Sequence, residues 1–139
     1  MKASTNLTHF QLTGEEGRRI IVLFSGSDGD LSARLLFVDE WRKGREVELD
    51  CDELELLRTV LSTDAAAMRK SGAYLKLSDG DLNFTVRGTN RGEPYRDGFD
   101  FNVEQDWDGY PIFAELDECR DLAKIIGEAL GSAPSPAPR

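Results

Sequence analysis

The sequence predicts an α+β fold in the order ββββα-ββββα, an antiparallel meander sheet with two amphipathic helices on one face. Three observations predict it. Short stretches alternate apolar and polar residues, the signature of half-buried strands. At two places, residues 47–61 and 114–130, the apolar period changes from two to that of a helix. Turns rich in Gly, Asp, Ser and Asn separate the strands, and such short connections join antiparallel neighbours. Strands with one polar face need cover on the other, so both helices are expected on the apolar side.

Residues 1–6 are polar and expected to fray. Phe10 and Leu12 alternate with Gln11 and Thr13 in a first strand, and 14–17 is a turn. The run Ile20-Ile21-Val22-Leu23-Phe24 suits a central strand covered on both faces. Residues 25–30, SGSDGD, are turn formers. Leu31, Ala33, Leu35 and Phe37 share one side of the next strand, 40–45 turns again, and Val47 and Leu49 complete the first meander.

The first helix is expected over 52–61. Leu54, Leu57 and Leu61 make one stripe, and Asp50 with Glu53 resembles a capping box with Asp in place of Ser or Thr. Residues 62–64 either end this helix or cap a second short piece, AAAMRK, which Ser71-Gly72 stops. Four strands follow: Ala73, Leu75 and Leu77; Leu82, Phe84 and Val86; Phe99, Phe101 and Val103; then Tyr110, Ile112, Ala114 and Leu116, with Phe113 on the opposite face. Residues 88–98 read as the longest loop. The final helix starts at Asp117 and carries a stripe of Leu122, Ile125, Ile126, Ala129 and Leu130. Gly131 stops it, which gives one domain over 1–131 and a disordered Pro-rich tail over 132–139.

The two halves echo each other. SDGDLSARL (27–35) parallels SDGDLNFTV (78–86), and VELDCDEL (47–54) parallels AELDECRDL (114–122). Internal duplication is one reading. The other is convergence, because Asp-Gly turns and acidic caps recur for physical reasons.

At 139 residues the chain is one domain by length, long enough to bury a core without staples. No run approaches the roughly 20 apolar residues of a membrane span, and the N-terminus has no secretory h-region. Two cysteines imply free thiols in a reducing cytoplasm. The net charge of −9 favours basic partners and argues against nucleic acid, whose phosphates require clustered Lys and Arg.

No catalytic motif is visible, and the chain is read as no enzyme and as needing no cofactor. His9 is the only histidine and supports no Ser-His-Asp or Cys-His arrangement. Cys51 and Cys119 lie at helix starts, where the dipole lowers a thiol pKa and neighbouring acids raise it; they read as small semi-buried residues. With one His, a structural zinc site is not expected. Asp28-Gly29-Asp30 and Asp79-Gly80-Asp81 resemble calcium-loop fragments but lack the further ligands, so they read as hairpin turns. An acidic pair with a metal is the only enzymatic reading left.

The charge distribution is the most informative feature. Residues 97–121 hold nine acids against Arg120 alone, a net −8. Trp107 and Tyr110 lie inside this stretch. Charge steers and aromatics anchor, so Asp97, Asp100, Glu104, Asp106, Trp107, Asp108 and Tyr110 form the candidate binding patch for a basic protein. The competing reading has the acids solvating a sheet face while Trp107 folds into the core. A basic turn, Arg42, Lys43 and Arg45 with Trp41, is flanked by Asp39, Glu40, Glu46 and Glu48 and reads as solvated.

Two resemblances accompany this reading. The helix opened by Asp52-Glu53-Leu54, the Gly72-Ala73-Tyr74-Leu75 strand, the strand over 82–86 and the segment 116–130 resemble the small cytoplasmic immunity proteins of bacterial contact-dependent and polymorphic (Wap-type) toxins. That resemblance covers about 80 residues. It implies a non-enzymatic acidic protein that neutralises a basic toxin or enzyme by occlusion. Four strands and a helix, twice over, is also similar to the purine-rich-element-binding (PUR) and Whirly topology. That similarity implies single-stranded nucleic-acid binding through basic and aromatic residues on the sheet, for which Arg34, Lys76 and Arg87 are sparse.

Overall fold

The first four strands pair in sequence order: β1 (His9–Thr13), β2 (Arg19–Ser25), β3 (Ser32–Val38) and β4 (Arg45–Leu49) form one antiparallel meander. The structure is a computed structural model that describes residues 9–26, 28–40, 44–91 and 96–131. The expected frayed start (1–6), the Trp41-Arg42-Lys43 part of the basic turn and the tail (132–139) lie outside the described residues. A second meander contains β5 (Tyr74–Asp79), β6 (Leu82–Arg91), β7 (Arg96–Gln105) and β8 (Pro111–Glu115). The strands are thus divided between two four-stranded sheets, each followed directly by a helix, in the order ββββα-ββββα.

Period-two alternation sets which face each sheet buries. In the first sheet Leu12, Ile20, Val22, Leu35, Phe37 and Leu49 point into the core. The run over 20–24 is not covered on both faces as expected. Ile21 and Leu23 point outward and are half-buried. Their neighbours on β3 are Leu36 and Arg34, so a leucine beside Ile21 and the aliphatic stem of an arginine beside Leu23 give partial cover.

α1 (Cys51–Leu61) follows β4 without a loop. Its capping box is complete: the Glu53 amide donates to Asp50 Oδ1 at 2.9 Å, and the Asp50 amide donates to Glu53 Oε1 at 2.9 Å. Leu54, Leu57 and Leu61 are buried as one stripe. Asp50→Ala removes one half of the box and is expected to lower stability by about 1 kcal/mol. A urea midpoint that falls with an unchanged slope is the check.

The AAAMRK piece is a helix of its own, α2 (Ala65–Ser71). Asp64 Oδ1 accepts from the Ala66 and Ala67 amides, and Gly72, at φ 77°, ends it. α2 crosses the second sheet at Gly88, where a Cβ would stand 2.3 Å from the Ala65 carbonyl oxygen. Within the expected 88–98 loop, residues 88–91 and 96–98 are strand instead. Pairing continues from Gly88↔Phe99 to Arg91↔Arg96, so strand arms occupy most of the segment. The glycine that reads as a breaker is the residue that lets a helix cross a strand. Residues 92–95 lie outside the described residues.

α3 (Leu116–Gly131) starts at the end of β8 and buries Cys119, Leu122, Ala123 and Ile126. It packs against α1 and reaches β1, β7 and β8, which ties the halves together. Arg120, the base within the acidic stretch, donates to the Leu61 carbonyl at 2.5 Å and so satisfies the C-terminal end of α1. The sheets meet at Phe37, whose ring stands edge-on to Phe84 and to Tyr110, each at 6.2 Å between centroids. Among the described residues no helix is long and apolar enough to cross a membrane.

The echoes fall at different places. Residues 28–30 form a short 3-10 helix, not the expected hairpin turn, between the second and third strands of their meander, whereas 80–81 form the turn between the first and second strands of theirs. The strand-to-helix junctions at 49–51 and 115–116 do occupy equivalent places.

Candidate docking site at the tip of the second sheet

The register Leu82↔Gln105 brings two hairpin tips side by side. One is the β5–β6 turn with Gly80 and Asp81; the other is the β7–β8 turn. In the latter, the Gln105 amide donates to the Asp108 carbonyl and the Asp108 amide to the Gln105 carbonyl, both at 3.0 Å. The two residues between them, Asp106 (φ 54°) and Trp107 (φ 69°), are both left-handed. This is the type I′ arrangement, which favours Asn-Gly because a side chain at positive φ is strained. Here its second position holds the most exposed large apolar residue among the described residues: Trp107 is 97% exposed.

The strained tip is held from the other sheet. Arg45, at the start of β4, donates to the Val103 carbonyl (3.2 Å) and the Asp108 carbonyl (2.5 Å), and pairs with Asp108 Oδ2 at 2.6 Å. Asn102 Oδ1 accepts from the Tyr110 amide at 2.7 Å, fixing the strand just beyond the turn. Charge-assisted bonds of this kind are among the stronger ones, and they leave the indole outside a rigid frame.

The acidic stretch does not form one patch. Asp97 is exposed at the start of β7, opposite Asn90. Asp100 is paired with Arg91 at 3.2 Å. Asp108 belongs to the Arg45 clamp. Tyr110 is not at the surface at all: it is 1% exposed and packed on Phe37, because it lies beyond the turn where the chain re-enters the core. Glu104, Asp106 and Trp107 do come together. Asp81 and Asn83 join them, and the five line a recess of about 240 Å³. Neither Asp81 nor Asn83 was legible as a partner of Trp107, since the β6–β7 register carries no local signal. The Asp-Gly-Asp motif that placed the turn was the only hint.

Asp81, Glu104 and Asp106 form no ion pair among the described residues, in contrast to Asp100, Asp108 and Glu115, which pair with Arg91, Arg45 and Arg96. The recess therefore concentrates carboxylates that no cation compensates among the described residues. Among the described residues no trio of His, Cys, Asp or Glu is placed to hold a metal ion.

The thiols lie elsewhere. Cys51 and Cys119 are not joined in a disulfide. Cys119 is fully buried, and burial, with Glu118 beside it, pushes its pKa up to about 12. It is expected to resist alkylation until the chain unfolds. The unfolded chain ionises this thiol above about 9 and the folded chain retains the proton to about 12. Stability is thus lost across that window as pH rises, by up to about 1.4 kcal/mol per pH unit. Parallel urea titrations of the parent and Cys119→Ala measure it: the gap between them should shrink above pH 9.

No protein-family model matches this chain, and no curated protein matches it.

Proposed function

We propose that this is a non-enzymatic binding protein of the immunity or inhibitor kind, which covers a basic toxin or enzyme with its Trp107 tip. One observation carries the reading: an almost fully exposed tryptophan, set in a strained and clamped turn beside carboxylates that form no ion pair among the described residues. Exposed aromatics within charged rims are where binding energy concentrates at protein interfaces. The surrounding acids raise the rate of encounter with a basic surface. The proposal puts the protein in the cytoplasm, in keeping with its unlinked thiols.

A nucleic-acid reading has its own feature, the outward face of the second sheet. There Arg87 lies over Tyr74 at 3.9 Å, and Arg91 and Arg96 lie over Phe113 at 5.8 Å. Arg91 and Arg96 are already paired with Asp100 and with Glu15 and Glu115. Among the described residues of this face, few cations are left for phosphates.

The test is a pull-down from the source cell's lysate with the parent and an Asp106→Asn/Trp107→Ala variant, each with and without nuclease. A stoichiometric basic protein that survives nuclease and is lost with the variant supports the proposal. Recovery that vanishes with nuclease supports the nucleic-acid reading instead.

A further inference from the structure

We propose that the recess between Trp107, Asp81, Glu104 and Asp106 receives one arginine side chain of the partner, its guanidinium plane laid against the indole. This rests on the docking reading above and adds the residue the partner inserts. Size limits the occupant first. At about 240 Å³ the recess is smaller than the roughly 300–1,000 Å³ of small-molecule sites, so it suits a side chain. Charge limits it next, because the carboxylates around it have no cation of this chain as partner among the described residues.

The arrangement then favours arginine over lysine. Asp81 comes from one hairpin and Glu104 and Asp106 from the next, and among the described residues no trio of carboxylates is placed to hold a metal ion, so the negative charge is spread around the recess. A delocalised planar cation with five donors suits spread acceptors, and it stacks on an aromatic face as a compact ammonium does not. The chain uses the same pairing internally, with Arg87 over Tyr74 at 3.9 Å. Trp107 offers the same kind of face to solvent with no arginine of its own beside it among the recess residues.

The experiment is an NMR titration of the full chain with three blocked tripeptides, Gly-Arg-Gly, Gly-Lys-Gly and Gly-Gln-Gly. The Trp107 indole resonance is assigned through Trp107→Phe. The arginine peptide should shift that indole and the amides of Asp81, Asn83 and Glu104 saturably. The lysine peptide should bind several-fold more weakly and the glutamine peptide should not bind. Glu104→Gln with Asp106→Asn should weaken the arginine peptide roughly tenfold, with the remaining spectrum unchanged. Equal response to arginine and glutamine, or saturable shifts mapping to another surface, would overturn the inference. If the peptide fails while Trp107→Ala still abolishes partner capture, the arginine assignment falls and the docking reading stands. If Trp107→Ala leaves partner capture intact, the docking reading itself falls.

Discussion

Phe37→Ala should lower stability by about 3–5 kcal/mol, the largest effect of any single change proposed. The ring is fully buried and stands edge-on to Phe84 and Tyr110. It comes from β3 of the first sheet, and both partners belong to the second half of the chain. Truncation therefore opens a cavity where the sheets join and also removes two aromatic contacts, each worth about 0.5–1.5 kcal/mol beyond area burial. Against a total of about 5–15 kcal/mol this is a third or more of the margin. Urea unfolding followed by far-UV circular dichroism and by fluorescence is the check. One transition, shifted to lower denaturant, is expected. Two separated transitions would mean that the sheets fold independently, contrary to the single buried cluster that spans them.

Trp107→Gly should act in the opposite direction on stability while removing function. A tryptophan that supported the fold would weaken it when lost. This one is 97% exposed and contributes almost no burial. Its φ of 69° is costly for any residue with a Cβ and free for glycine. The variant is expected to be about 1 kcal/mol more stable than the parent, from relief of the left-handed strain. Trp107→Ala keeps the Cβ and should gain nothing. Gain in stability with loss of binding is the trade-off of a residue kept for recognition. Arg45→Ala is the counterpart: it leaves the indole intact and frees the turn that presents it.

Much of this fold can be read from the chain. Leu54, Leu57 and Leu61 with Asp50 and Glu53 specify α1, stripe and cap together, because a helix start is a local event. The strands declare themselves by alternation. The strand arms around 88–98 do not, because Gly88 is small for a reason that lies on α2, far away in sequence. Tyr110 illustrates the same limit. Its acidic neighbours suggest a surface, yet the turn at Asp106-Trp107 sends the chain inward within two residues. Composition marked Trp107 as either an anchor or a core residue, and only the three-dimensional turn distinguishes them. Asp81 and Asn83 reach the recess through strand register, which period-two patterns leave unspecified.

The most direct measurement is the affinity of the parent and of Trp107→Gly for the basic protein recovered by pull-down, in nuclease-treated samples at one salt concentration. At least about a 30-fold loss is expected for the variant, the size of a single interface hot spot, in a chain that unfolds at the same or higher denaturant. Equal affinities would contradict it and remove Trp107 from the function of this protein.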